Sequence, residues 1–218
     1  MNILLSEVEV RVLGALVEKE STTPDYYPLS LNALINACNQ KSNRDPEMHL
    51  DEEVVRDALH SLNEKNLAAA AGGADSRVTK YEHRLQEVFN FTRPETAIIC
   101  VLMLRGPQTP GELRGRSERM HPFGDLSEVQ STLQRLMKWE PPLVKILSRL
   151  PGTKESRYAH LLSGEQESWS REPVAAETAT GNAADTERIA RLENEVEGLK
   201  QRLLDLTNQL TEFRKQFE

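Results

Sequence analysis

Cations and amides, not histidines or cysteines, carry the chemistry this sequence offers. They concentrate in two runs, Asn39-Gln40-Lys41-Ser42-Asn43-Arg44-Asp45-Pro46 and Arg114-Gly115-Arg116-Ser117-Glu118-Arg119-Met120-His121-Pro122-Phe123. Guanidinium and ammonium groups hold phosphate oxygens by charge-assisted hydrogen bonds, and interleaved amides and hydroxyls read base edges. The candidate nucleic-acid-binding residues of the first run are Lys41, Asn43 and Arg44, and those of the second are Arg114, Arg116 and Arg119. Gln130, Gln134 and Arg135 join them from the helix that follows, and Lys154 and Arg157 from a hairpin tip. The competing reading is that these charges are merely solvated, or that Arg44 pairs with Asp45 or another carboxylate.

No catalytic set accompanies them. His49, His60, His83, His121 and His160 are scattered, and neither His-Glu-x-x-His nor Cys-x-x-Cys spacing occurs. Cys38 and Cys100 fall inside apolar helical patterns and read as buried reduced thiols. Gly72-Gly73 reads as a hairpin tip, not a phosphate loop. The expectation is a non-enzymatic protein with no cofactor and no metal.

The elements that position the cations come from an internal repeat. Lys80-Tyr81-Glu82-His83-Arg84-Leu85 is echoed by Arg157-Tyr158-Ala159-His160-Leu161-Leu162, and each closes a run of helix, helix, helix, hairpin. Ser6 with Glu9 and Thr109 with Glu112 are capping boxes, and Pro110 sits in a first helical turn, where its missing N–H costs nothing. Val129, Leu133 and Leu136 repeat the spacing of Val55, Leu59 and Leu62, which aligns the third helices. Three helices capped by a hairpin is the winged-helix pattern. The expected fold is mainly α with small β-hairpins (α+β), as two tandem winged-helix (helix-turn-helix-like) domains at residues 1–88 and 89–164. A flexible linker is expected over 165–184 and a coiled-coil helix over 185–218. The links between second and third helices run to about ten residues, far above the 3–4 of the standard motif.

Charge divides the repeats. The chain as a whole carries −7. Residues 1–85 hold 9 basic and 14 acidic groups, and residues 86–164 hold 11 and 8. The third helix of the first repeat opens Asp51-Glu52-Glu53, which repels phosphate, whereas its counterpart opens Ser127-Glu128-Val129-Gln130-Ser131. The second repeat is therefore the better candidate for nucleic acid. Small-molecule sensing at the junction between the domains stays open, because such pockets leave little trace in sequence.

In the tail, Ile189, Leu192, Val196, Leu199, Leu203, Leu206, Leu210 and Phe213 alternate steps of three and four. That is a heptad seam, with β-branched Ile189 and Val196 at a positions followed by leucines at d, the combination of parallel dimers. A single amphipathic helix folding back on the body is the alternative. The N-terminus lacks a signal-peptide pattern and no stretch approaches a membrane span, so a cytoplasmic homodimer is expected.

Tyr27-Pro28-Leu29-Ser30-Leu31-Asn32-Ala33-Leu34, the Cys38–Pro46 run and Thr109-Pro110-Gly111-Glu112-Leu113-Arg114 together resemble the YceH-like family of bacterial proteins over about residues 3–162. The resemblance implies a bacterial source and two winged-helix domains, and assigns no activity, substrate or cofactor. The leading functional expectation is a dimeric protein that binds double-stranded DNA, as a transcriptional regulator does. The alternative is a protein–protein interaction adaptor similar in architecture to ScpB-like chromosome-segregation proteins. The seam makes its own prediction. Deleting residues 185–218 is expected to convert a dimer to a monomer, and light scattering that returns the same mass per particle, apart from the missing tail, would refute it.

Overall fold

The computed structural model describes residues 3–71, 78–148 and 155–165. It is a mixed structure of α-helices and short antiparallel sheets. The helices are α1 (Glu7–Thr22), α2 (Leu31–Cys38), α3 (Glu52–Glu64), α4 (Leu85–Phe89), α5 (Arg93–Arg105), α6 (Pro110–Ser117) and α7 (Leu126–Met137). The strands are β1 (Leu29–Ser30), β2 (Ala68–Ala71), β3 (Lys80–His83), β4 (Val144–Ile146) and β5 (Tyr158–His160). Residues 166–218 lie outside the described residues, and with them the linker and the seam from Ile189 to Phe213. The hairpin tips, including Lys154, lie outside as well.

The helix starts follow from local chemistry. Ser6, Thr92 and Thr109 each head a capping box, in which Glu9, Glu95 and Glu112 return a carboxylate to the cap residue's own N–H. Asp51 and Asp125 cap α3 and α7 by accepting from Val54 N–H and Glu128 N–H, both at 2.9 Å.

The two halves repeat down to single hydrogen bonds. Behind each third helix the chain turns back, Leu67 N–H donating to Leu62 C=O at 2.8 Å and Leu143 N–H to Leu136 C=O at 3.1 Å. Arg84 N–H then donates to Leu67 C=O and Leu161 N–H to Leu143 C=O, both at 2.8 Å. A third extended piece joins each hairpin: Leu29 pairs with Tyr81 in the order β1-β3-β2, and Gln108 pairs with Tyr158 beside β4-β5. Neither β1 nor the Gln108 bridge has enough alternating residues to show as a strand in sequence. The single turn α4 is likewise too short for a periodic signal.

One apolar core runs through both halves. Residues Val10–Val17 of α1 are buried without a break, as are Ala97–Leu104 of α5, so both helices are enclosed on all sides and pack on each other. Gly14 makes the crossing close. A Cβ placed there would come within 2.9 Å of Leu104 Cδ2 and 3.2 Å of Met103 Cβ. Cys100 Sγ donates to Gly14 C=O at 3.5 Å. Both cysteines are free and buried, and burial pushes the Cys38 thiol up to about 12. Leu5 N–H donates to Leu162 C=O at 2.8 Å, tying the start of the first half to the end of the second.

Gly14→Val is therefore expected to destabilise the protein by about 2 kcal/mol, within the range for overpacking a filled interior. Gly14→Ala should cost less, because alanine gains about 1 kcal/mol of helix propensity over glycine. Denaturant unfolding of both variants checks this; wild-type stability in the valine variant would mean that α1 and α5 do not meet closely at residue 14.

Candidate nucleic-acid interface

Most of the Asn39–Pro46 run is exposed, with one inward exception. Arg44 is buried, and its guanidinium takes Glu18 of α1 as a bidentate partner, at 2.7 and 3.1 Å. Its Nε and Nη2 also donate to Ala37 C=O at 3.0 and 2.8 Å, and Nη1 donates to Asn43 C=O at 2.9 Å. With its donors taken by protein acceptors, Arg44 is removed from the phosphate-binding candidates. The carboxylate that holds it is Glu18, not the adjacent Asp45. Burial alone would raise the Glu18 carboxyl, but hydrogen bonding and charge from Arg44 outweigh it and hold the group below its usual range.

The rest of the run is a clasp. Asn39 exchanges two hydrogen bonds with the Leu50 backbone, both 2.8 Å, closing the loop on itself. Asn43, in the left-handed region at φ 64°, accepts from Arg105 of α5 through its side-chain oxygen. Asp45 N–H donates to Leu104 C=O at 2.9 Å, and Pro46 C=O accepts from Arg11 Nη2 at 2.6 Å. Lys41 is exposed, with no ammonium partner among the described residues.

In the second half Arg114 and Arg116 lie on the last turn of α6, not in the connecting loop where the sequence placed them. The Thr109–Glu112 capping box starts the helix early enough to include them, and cations there suit the negative end of its dipole. Arg114 donates to Phe123 C=O at 3.4 Å and Gly124 C=O at 2.9 Å, holding the loop before α7. Arg116 bonds Gln108 Oε1 and lies 3.4 Å from Glu112, which Arg157 approaches to 3.6 Å. Burial would raise the Glu112 carboxyl, but the Thr109 N–H and these two arginines keep it low. Arg135 is exposed and spans to Glu95 at 3.3 Å. Arg119 is exposed and has no ion-pair partner among the described residues.

The outer face of α7 is uncharged until its end. Ser127, Gln130, Ser131, Gln134 and, just past the helix, Lys138 are all exposed at helical spacing. The equivalent positions on α3 read Glu53, Arg56, Asp57, His60 and Glu64. That stripe sets three carboxylates against one cation, and Arg56 is itself paired with Glu52 at 2.7 Å. Two carboxylates do stand at the start of α7, but both turn to their own loop. Asp125 accepts from Ser127 Oγ at 2.7 Å, and Glu128 accepts from Gly124 N–H at 2.9 Å and meets His121 Nε2 at 3.1 Å. The Ser127 hydroxyl holds the Asp125 carboxyl low, and the Gly124 N–H followed by His121 does the same for Glu128.

Arg105 and Lys138 were not among the sequence candidates. Arg105 ends α5 as its last-turn cation and, with Asn43, Arg116 and Arg119, lines a cavity of about 340 Å³. Burial and the neighbouring Arg116 both lower its pKa. Its signal in the sequence was the final Arg before Gly106-Pro107, which reads equally well as dipole compensation.

A family model described as "Protein of unknown function, DUF480" matches residues 5–153. The UPF0502 protein Acid345_3645 of Koribacter versatilis is 54% identical over 199 residues, spanning 91% of this chain and 92% of that protein. A UPF0502 protein of Pelobacter propionicus is 51% identical over 222 residues, and UPF0502 protein GSU0233 of Geobacter sulfurreducens is 53% identical over 221 residues; each match covers 100% of both chains.

The inward turn of Arg44 makes Glu18→Gln a sharp test. The change strands a buried guanidinium, for which a loss of about 3 kcal/mol is expected. The Glu18 carboxyl sits lower in the folded chain than in the unfolded one. Its contribution is therefore complete above the unfolded value of about 4.3 and is lost as pH falls through the lower folded value. Acid unfolding of the glutamine variant should lack that component. A change at neutral pH below about 0.5 kcal/mol, the size ordinary for surface substitutions, would return Arg44 to the solvent-facing set.

Proposed function

The chain belongs to the DUF480 family of bacterial proteins, and from that premise we propose that it is a non-enzymatic DNA-binding protein acting through its second half. The observation that carries this reading is the exposed stripe Ser127, Gln130, Ser131, Gln134 and Lys138 on α7. Amides and hydroxyls at one helical face can pair with base edges without excluding phosphate, and each good bidentate amide–base pair contributes about 1–3 kcal/mol of discrimination. In this reading each half is a winged helix and α7 is the recognition helix. Asp125 and Glu128 keep phosphate from the first turn, so the duplex meets the middle and end of α7. Arg119 and Lys138, both exposed, supply the phosphate contacts, whereas Arg157 is turned to Glu112 and Pro107 C=O. Dimerisation through residues 185–218 would present two such faces to one duplex in the cytoplasm, as a transcriptional regulator requires. The YceH-like resemblance belongs to the same reading.

A second reading, protein-interaction adaptor, is favoured by one specific observation. The α3 stripe is exposed and acidic, and suits a basic protein segment better than DNA. The two readings use different halves and separate experimentally.

Duplex affinity measured across a salt series is expected to fall linearly on a log–log plot, as counterion release requires. Arg119→Ala and Lys138→Ala should each reduce the slope by about 1, whereas Gln130→Ala with Gln134→Ala should relax sequence preference and leave the slope alone. No detectable affinity at low salt for random or genomic duplexes would sink the reading.

A further inference from the structure

Three arginines of the second half line one cavity at the junction of the halves, and two of them pair with no carboxylate among the described residues. The cavity measures about 340 Å³ and lies between the end of α1, the Asn43 turn of the clasp, the end of α5 and the α6–α7 loop. Arg105 reaches it from α5, Arg116 from the last turn of α6, and Arg119 from the loop beyond. The site is open to solvent. Arg116 and Arg119 are exposed, and the bond from Arg105 to the Asn43 side-chain oxygen lies at the surface. That neutral amide oxygen orients Arg105 without cancelling its charge.

The charge balance stays positive when every ion pair is included. The lining sets Arg105, Arg116 and Arg119 against Glu18 and Glu118. Glu18 is taken by Arg44 at 2.7 Å and Lys19 at 3.2 Å, and Arg116 lies 3.4 Å from Glu112. Lining and partners together place five cations against three carboxylates, and Arg157, 3.6 Å from Glu112, is a sixth cation. Asp45, which lines a neighbouring cavity with Arg105, has the Arg11 charge beside it there. The negative ends of α5 and α6 also point here, but each offsets at most about half an electron charge, so an excess of about two remains. Burial and then the Arg116 charge lower the Arg105 pKa, as expected of a cation among cations.

Two negative charges are the complement. A phosphate monoester carries about −1.5 to −2 at neutral pH and offers three strong acceptor oxygens, which guanidinium forks match bidentately. A carboxylate or a backbone diester brings a single charge. The cavity is larger than a phosphate group, and Val101, Leu104 and Met120 line part of the remaining space. We infer that this cavity binds a small phosphate monoester, its phosphate between Arg105 and Arg119 and its organic body toward Val101, Leu104 and Met120. The site goes beyond DNA binding, needs no duplex, and shares only Arg119 with that reading.

Phenyl phosphate is the probe, titrated calorimetrically into the full chain without DNA at about pH 8, where a second phosphate pKa of about 6 leaves it dianionic. Sodium chloride holds the ionic strength constant. Benzenesulfonate controls for the ring with one charge, inorganic phosphate for the dianion without a ring, and dimethyl phosphate for a nucleic-acid backbone unit. Saturable one-to-one binding of phenyl phosphate is expected, with benzenesulfonate and dimethyl phosphate about tenfold weaker and inorganic phosphate several-fold weaker. Arg105→Met and Arg119→Met should each weaken phenyl phosphate about tenfold, whereas Lys80→Met, at an exposed cation that does not line the cavity, should leave it unchanged. Arg119 is exposed, so its variant decides even if Arg105→Met fails to fold. No saturable heat, equal binding of any control, or a folded Arg119→Met that binds like the wild type would overturn the assignment. Failure of duplex binding would not, since no duplex enters the titration.

Discussion

The close crossing of α1 and α5 is the constraint on which the rest depends. Each helix opens one half of the repeat, and each is buried on all sides along its middle, Val10–Val17 and Ala97–Leu104, so each half helps to enclose the other's opening helix. Gly14 lets the backbones approach, and Leu104 and Met103 fill the space its absent side chain leaves. Once these helices are joined, the α2–α3 connection of the first half lies against the end of α5. Asp45 bonds Leu104, Asn43 bonds Arg105, and Arg44 reaches back to Glu18. The unusual length of that connection has its cause here. It must span from the first half to the second and return, which a tight helix-turn-helix link does not do.

Elements with strong periodicity were legible in the sequence. The third helices, the hairpin echoes and the capping boxes appear where local rules place them, because each is determined within a few residues. What the sequence hid was the direction of single side chains in irregular segments. Arg44 and Lys41 share one polar loop, one enclosed and one in solvent, and no local rule separates them. The difference comes from Glu18, far upstream on α1. Arg114 and Arg116 were misplaced for a smaller reason: where α6 stops is set by tertiary contacts of its last turn, and helix ends are the least determined part of a pattern. Arg11 had a signal that composition obscures, a lone cation within the apolar series Val10, Val12, Leu13. The heptad spacing of the tail lies outside the described residues.

Duplication has kept the scaffold and let the surfaces diverge. His83 and His160 occupy one place in the two hairpins, opposite Ala68 and Val144. Yet His83 meets Glu20 at 2.9 Å at the edge of the first half, while His160 is buried with its Nδ1 unpaired among the described residues. The third helices have separated in the same way. The pairs Leu59 with Leu133 and Leu62 with Leu136 remain buried, while the exposed stripes have become acidic on α3 and amide-rich on α7. Core positions answer to packing and are held to type; the outer positions are where one copy can acquire a partner that the other does not share.

The two buried guanidiniums of the first half are held beside one loop in different ways. Arg44 is neutralised by Glu18 and fixes the clasp. An arginine suits this task because its planar fork serves Glu18, Ala37 and Asn43 at once, where a lysine ammonium offers its donors from a single point. Arg11 is held by carbonyls alone, one at the end of α2 and one in the clasp. Carbonyl dipoles orient a guanidinium without cancelling its charge. The loop that secures the two halves therefore also seats Arg11: Pro46 C=O accepts from it while the neighbouring Asp45 N–H donates to Leu104 C=O, so one turn of the clasp ties α1 to the end of α5.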